Sequence, residues 1–277
     1  VATVTSEAVT LWDTHCHLDS PRLDAVRSAV VDRALQAGVT HVVIPAVMPE
    51  TFERTWEVAR HAGGLHCLVG GGIRPQVPPE LPQAWDDGAL RAVEAACDRH
   101  PPQAIGECGL DYRVDLERAP KARQMAVLRA QLCMAQVRRL PALIHCLSAH
   151  DDLLRVLKDV GPLPAGGVLH SYSGSAEQLA PFVAMGLMVS FAGPVGWANA
   201  RKAPKAAAAV PAHLLLLETD TPDQAPQPVR GALNEPAHVL HVLAALAQAR
   251  GEVAAATARV TTDNARRLFG AHPPAAG

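Results

Sequence analysis

Residues 141–170 read PALIHCLSAHDDLLRVLKDVGPLPAGGVLH, two short apolar runs separated by an amphipathic segment. PALIHC and GGVLH are short, apolar and flanked by Pro or Gly, so both read as buried strands. His150 to Val160 reads as the helix between them. A strand, a crossover helix and a second strand in about thirty residues make a parallel pair. Each strand also finishes on a histidine, His145 and His170.

The same alternation continues outward in both directions. The runs VTLWDTHC, THVVIPA, LHCLVGGGI and QAIGEC precede this unit, and LMVSFAG and HLLLLETD follow it. Amphipathic stretches lie between them at Asp24 to Ala37, Glu50 to His61, Ala89 to Arg99, Lys121 to Arg139 and Ser175 to Met185. Eight strands that are nearly continuously apolar fit a parallel sheet buried on both faces, and eight such units match the α/β class (β/α)₈ TIM barrel. A doubly wound open sheet uses the same units, but no Gly-rich nucleotide loop follows the first strand. No linker divides the chain, so residues 1–270 read as a single barrel domain and 271–277, HPPAAG after Ala271, as a disordered tail. RPQVPPELPQAWDDG and TPDQAPQPVRGALNEP read as long loops after the third and eighth strands, and KAPKAAAAVP as a short helix.

Composition bounds the function. With 49% hydrophobic residues and a net charge of -2, the chain is expected to be soluble and globular. It has no run long enough to span a bilayer and no signal-like start, so a cytoplasmic monomer without membrane contact is expected. Six cysteines without CxxC spacing argue against disulfides or a thiolate zinc site and read as buried free thiols. No Lys/Arg cluster is present to coat nucleic acid, so any such partner would be held in a local pocket.

LWDTHCHLDS, residues 11–20, supplies His15 and His17 at the end of the first strand. Alternation would put both imidazoles on one side and Cys16 on the other. An HxH pair alone is either half of a metal site or two histidines bonded to backbone. In a barrel, however, catalytic groups stand at the carboxyl ends of different strands. Glu107 ends the fourth strand, His145 the fifth, His170 the sixth and Asp220 follows the eighth. Four imidazoles and two carboxylates exceed what one catalytic metal uses, which implies two divalent ions bridged by Glu107. Mixed nitrogen and oxygen ligation suits Zn, Mn, Co or Fe and accepts Mg.

Taken in order, DTHCHLD, AIGECGLDY, LIHC, GVLHSYSG, LLLETDTPD, LNEP and DNARRLFG resemble the TatD family of metal-dependent deoxyribonucleases, within the amidohydrolase-like barrels. The likeness runs from Leu11 to Gly270. It implies a TIM barrel with a two-metal hydrolytic centre and DNase activity, often 3′-to-5′ on single strands. Carried over by motif, His15, His17, Glu107 and Asp220 would hold one ion, and Glu107, His145 and His170 the other. Asp220 would orient the attacking water and take its proton, or serve as a ligand alone.

Other residues carry two readings each. Asp13 and Glu218 stand two positions before ligands and either hydrogen-bond a ligand imidazole or are buried acids paired elsewhere. Tyr112 and Trp197 either stack a base or pack. Arg74, Arg113 and Arg230 lie in active-face loops and either bind phosphate or are solvated. Asn234 reads as a helix cap, and Asn264 as a loop anchor for the C-terminal helices. The chain departs from the family at GIRP, where Arg74 replaces a histidine, and at Leu147, where relatives carry an arginine. These departures leave an ester, lactone or amide, such as an aminoacyl-tRNA ester, as the alternative substrate. A non-catalytic scaffold barrel is a third possibility, disfavoured by the intact ligand set.

Overall fold

The computed structural model describes residues 10–76, 81–114 and 118–270; the tail expected at 271–277 lies outside the described residues. Eight parallel strands run in sequence order around one sheet: β1 (Leu11–Asp13), β2 (Val39–Pro45), β3 (His66–Gly71), β4 (Ala104–Asp111), β5 (Ala142–Leu147), β6 (Gly167–Leu169), β7 (Met188–Phe191) and β8 (Leu215–Leu217). The crossovers carry α1 (Arg27–Gln36), α2 (Phe52–Arg60), α3 (Gln83–Arg99), α4 (Lys121–Arg138), α5 (His150–Val160), α6 (Ala176–Ala184) and α7 (Ala203–Ala209), followed by α8 (Val239–Arg250) and α9 (Ala254–Phe269). This is a (β/α)₈ barrel. Val42, Val43, Ile44, Leu143, Ile144 and Leu216 are completely buried, as strands covered on both faces must be.

The barrel closes between its first and last strands without a full ladder. β1 ends at Asp13, earlier than the run VTLWDTHC suggests, because the following residues divide their bonds between two neighbours. Thr14 donates to Leu217 O, Cys16 to Val43 O and His17 to Thr221 O, while Asp220 donates back to His15 O at 2.9 Å. Asp13 completes the closure: Oδ1 accepts from the Thr219 amide at 2.9 Å and Oδ2 from its hydroxyl at 2.5 Å. Burial pushes the Asp13 carboxyl up to about 8.

β4 and β5 approach unusually closely. Gly109 has φ +150°, and a Cβ there would lie 2.0 Å from His145 O; at Gly106, φ +135°, it would lie 2.5 Å from Leu143 O. Only glycine allows this approach and this backbone. The ladder is irregular between Ile105 and Cys108, so Glu107 sits in the interruption and β4 continues past it to Asp111. Glu107 therefore stands within the strand, whereas the sequence reading put it at the end.

Helix boundaries shift where side chains intervene. α1 begins at Arg27, three residues after the expected Asp24; Arg27 donates to Leu18 O and Ser20 O, and a separate 3-10 turn over Pro21–Leu23 precedes the helix. α3 begins at Gln83 rather than Ala89, running through the exposed Gly88, and Trp85 packs on the core. Cys133 is exposed and Cys67 half-buried, unlike the uniformly buried thiols expected. Asn264 ties α9 to Ala212 O and Leu215 O at 2.7 and 2.8 Å. Among the described residues no helix is long and apolar enough to cross a membrane.

Two glycine substitutions should move stability in opposite directions. Gly109→Ala must separate β4 from β5 and should lower unfolding free energy by about 3 kcal/mol or more. Gly88→Ala meets nothing within 4 Å and should raise it by about 0.5–1 kcal/mol. Urea unfolding followed by circular dichroism reads both.

Candidate metal centre

Glu107 is the focus of the barrel mouth. Its side chain is 6% exposed, and each carboxylate oxygen faces a different pair of imidazoles. Oε1 lies 3.1 Å from His145 Nδ1 and 3.5 Å from His170 Nε2. Oε2 lies 3.6 Å from His15 Nε2 and 3.5 Å from His17 Nε2. Asp220 closes the second group, with Oδ1 3.7 Å from His15 Nε2 and 3.6 Å from His17 Nε2. Potential ligand atoms of His15, His17 and Asp220, and of Glu107, His145 and His170, each fall within 4.8 Å of one another.

The electrostatics suit a cation. Burial would drive the Glu107 carboxyl up, but His145, His15 and His170 outweigh it and hold the acid well below its ordinary range. His15 is lowered to about 4 by burial and by the neighbouring His170, so it stays neutral with lone pairs available. Neither His15 ring nitrogen has a hydrogen-bond partner. A buried polar atom left unpaired costs about 1–3 kcal/mol, and a cation at Nε2 would remove that cost. This orphaned imidazole, beside two carboxylates, fits a divalent metal with nitrogen and oxygen ligands.

Supporting groups fix the candidate ligands. His170 is stacked on His15 with ring centroids 3.8 Å apart, and Glu218 Oε1 stands 3.4 Å from His170 Nδ1. Glu218 is itself held by the Ser171 amide at 2.7 Å and the Ser190 hydroxyl at 2.6 Å. Asp13, by contrast, bonds the backbone amides of His15 and Thr219, not an imidazole. Asp220 has φ 56°, a left-handed conformation that aspartate tolerates, and Gln224 Nε2 donates to its Oδ2. Asn234 is a clamp rather than a cap, donating to Thr219 O at 2.8 Å and Asp223 O at 2.7 Å.

Asp111 is absent from the sequence reading. It is fully buried, with Oδ2 3.6 Å from His145 Nε2, 3.0 Å from Gln76 Nε2 and 2.9 Å from Arg113. Strand alternation was the available signal, since residues 107, 109 and 111 share one face. Burial opposes charge on His145, but Asp111 and Glu107 outweigh it and keep the imidazole above its ordinary pKa.

The candidate ligands open into a cleft of about 680 Å³ that Arg22, Arg54, Arg74, Arg113 and Arg118 also line. Arg113 reaches it while bonded to Asp111. The exposed Arg74 makes no ion pair among the described residues. Tyr112 faces a separate depression, donating to Asp152 Oδ2 at 3.0 Å. Arg230 stacks over the Trp197 ring at 4.2 Å, outside the cleft.

Known proteins resemble this chain along nearly its whole length. The family model described as TatD related DNase matches residues 12–270. An uncharacterized metal-dependent hydrolase of Bacillus subtilis, YabD, is 33% identical over 260 residues, 94% of this chain and 98% of that one. The 3'-5' ssDNA/RNA exonuclease TatD of Escherichia fergusonii is 30% identical over 269 residues, 94% of this chain and 99% of that one. The crystal structure of YjjV, a TatD homolog from Escherichia coli, matches with a TM-score of 0.86 and 32% identity, covering 95% of this chain and 99% of that one.

Two outcomes are expected at the centre. Asp111→Asn loosens His145 and should weaken Mn²⁺ affinity about 10- to 100-fold in a direct titration. Glu107 and Glu218 overcome the opposing effect of burial and hold the proton of His170 well above the ordinary imidazole value. A cation at that imidazole must displace the proton, so affinity should rise with pH and binding should release protons, read by calorimetry in two buffers of different ionisation enthalpy.

Proposed function

The chain belongs to the TatD-related DNase family of metal-dependent hydrolases, and on that premise we propose that it is a two-metal exonuclease removing nucleotides from the 3′ end of single-stranded DNA. One observation carries the two-metal reading: Glu107 presents Oε1 to His145 and His170 and Oε2 to His15 and His17. This arrangement would let one carboxylate serve two ions. The bound ions would supply an activated water and neutralise charge at the phosphate. His15, His17, Glu107 and Asp220 would hold one ion, and Glu107, His145 and His170 the other.

The protein's own groups do the remainder. Asp220 orients the attacking water and accepts its proton, with Gln224 fixing the carboxylate from the Oδ2 side. Attack at phosphorus breaks the bond to the preceding O3′, giving a 5′-mononucleotide and a strand one residue shorter. Arg74 grips a phosphate of the retained strand, the role left open by Leu147. The arginines of the cleft favour a phosphodiester over a neutral ester, lactone or amide. The name of the E. fergusonii relative supports the same substrate class.

The test uses end-labelled single-stranded and duplex DNA with Mg²⁺ or Mn²⁺, products being resolved by length. Wild-type protein should shorten single strands stepwise, and Asp220→Asn should slow this by about a hundredfold or more. Arg74→Ala should raise KM roughly tenfold. Absence of cleavage with every metal would overturn the nuclease reading and favour the ester or amide class.

A further inference from the structure

A second cavity of about 550 Å³ opens from the metal cleft across His145 and His170. Its character is different. The cleft is lined by five arginines, whereas this cavity shares only Arg113 among them and has Tyr172, Phe191, Val195, Trp197 and Ala203 in its walls. Tyr172, Phe191 and Val195 are buried. An apolar, aromatic-walled cavity of this size accommodates a small planar molecule.

Trp197 is held rather than loosely packed. Its Nε1 donates to Ala225 O at 2.9 Å, and the next amide, Ala198 N, donates to Gln227 Oε1 at 2.9 Å. Arg230 covers the ring at 4.2 Å without lining the cavity. Below it, a Cβ on Gly193 would fall 1.9 Å from Gln224 O, so the turn after β7 is pressed against the loop after β8. That loop also carries Gln224, which bonds Asp220 Oδ2 and the Ser171 hydroxyl. The aromatic wall and the metal ligand are thus fixed to one short piece of backbone, and the ring has little independent motion.

We propose that this cavity receives the base of the terminal nucleotide, stacked on Trp197, while the retained strand leaves through the arginine-lined cleft. The assignment rests on the nuclease reading and adds what that reading lacks, the reason one nucleotide is released at a time. A base seated in the cavity brings its own 5′-phosphate beside His145 and His170. The next nucleotide then lies on the cleft side, where most of the arginines stand. Stacking on an aromatic face is tolerant of base identity, so the site selects a chain end and not a sequence.

The test compares 5′-labelled single strands that end, on the 3′ side, in an ordinary nucleotide or in an abasic residue. Wild-type protein should remove the ordinary residue roughly tenfold more efficiently, mainly through KM. Trp197→Ala should abolish the difference and Trp197→Phe should restore it. If Trp197→Ala does not fold, Ala203→Leu, which fills the cavity from α7, should slow the ordinary end and spare the abasic one. Equal wild-type rates on the two ends would overturn the proposal while leaving the nuclease reading intact. If neither strand is cut, the nuclease reading fails, and the cavity is tested by titrating deoxyadenosine monophosphate: binding weakened roughly tenfold by Trp197→Ala upholds the base site, and absent or unchanged binding removes it.

Discussion

A buried carboxylate surrounded by four imidazoles sets the terms for this barrel. Removing an acid such as Glu107 from water is tolerable only if opposite charge or hydrogen-bond donors meet it on every side. His15, His17, His145 and His170 arrive from three different crossings of the barrel mouth to do so. The backbone is arranged around that need. The β4–β5 ladder breaks at Glu107, re-aiming its side chain, and glycines at 106 and 109 let β5 come close enough to present His145.

Closure of the barrel follows from the same economy of polar groups. Where β1 and β8 fail to form a full ladder, Asp13, Thr14, Thr219 and Thr221 make a buried polar seam between them. The seam fixes the chain immediately before His15 on one side and before Asp220 on the other. A network of buried polar groups that is fully satisfied rigidifies the structure, so ligands from opposite ends of the sequence share one coordinate frame. The left-handed conformation of Asp220 persists because the bonds from Gln224 and to His15 O surround it.

The mouth divides into two environments that meet at His145 and His170. On one side five arginines line a wide cleft; on the other, aromatic and aliphatic side chains wall much of a narrower cavity that shares Arg113 with it. A strand of nucleic acid is itself divided this way, with charged phosphates along its length and apolar bases along its edge. Under the proposed function, a site that separates the two would recognise where a strand stops.

The candidate residues at the barrel mouth and their strands of origin were legible in one dimension. His145 and His170 close two apolar runs around the helix His150–Val160, whose bounds the structure reproduces, and parallel βα repetition sends all such carboxyl ends to one face. The TatD motifs led to the same barrel. Local pattern could not supply what depends on neighbours distant in sequence. Asp111 became part of the site only because β5 sets His145 against it. Asn234 looked like a cap and became a clamp because Thr219 and Asp223 offered carbonyls. Arg230 and Trp197, more than thirty positions apart in sequence, form one stacked unit. Periodicity and residue chemistry are local properties, so the sequence alone determined the barrel and the candidate residues at its mouth. Distances across the barrel depend on which strands close on which, so the split of Glu107 between two imidazole pairs and the pairing of cleft with cavity were decided only by the tertiary structure.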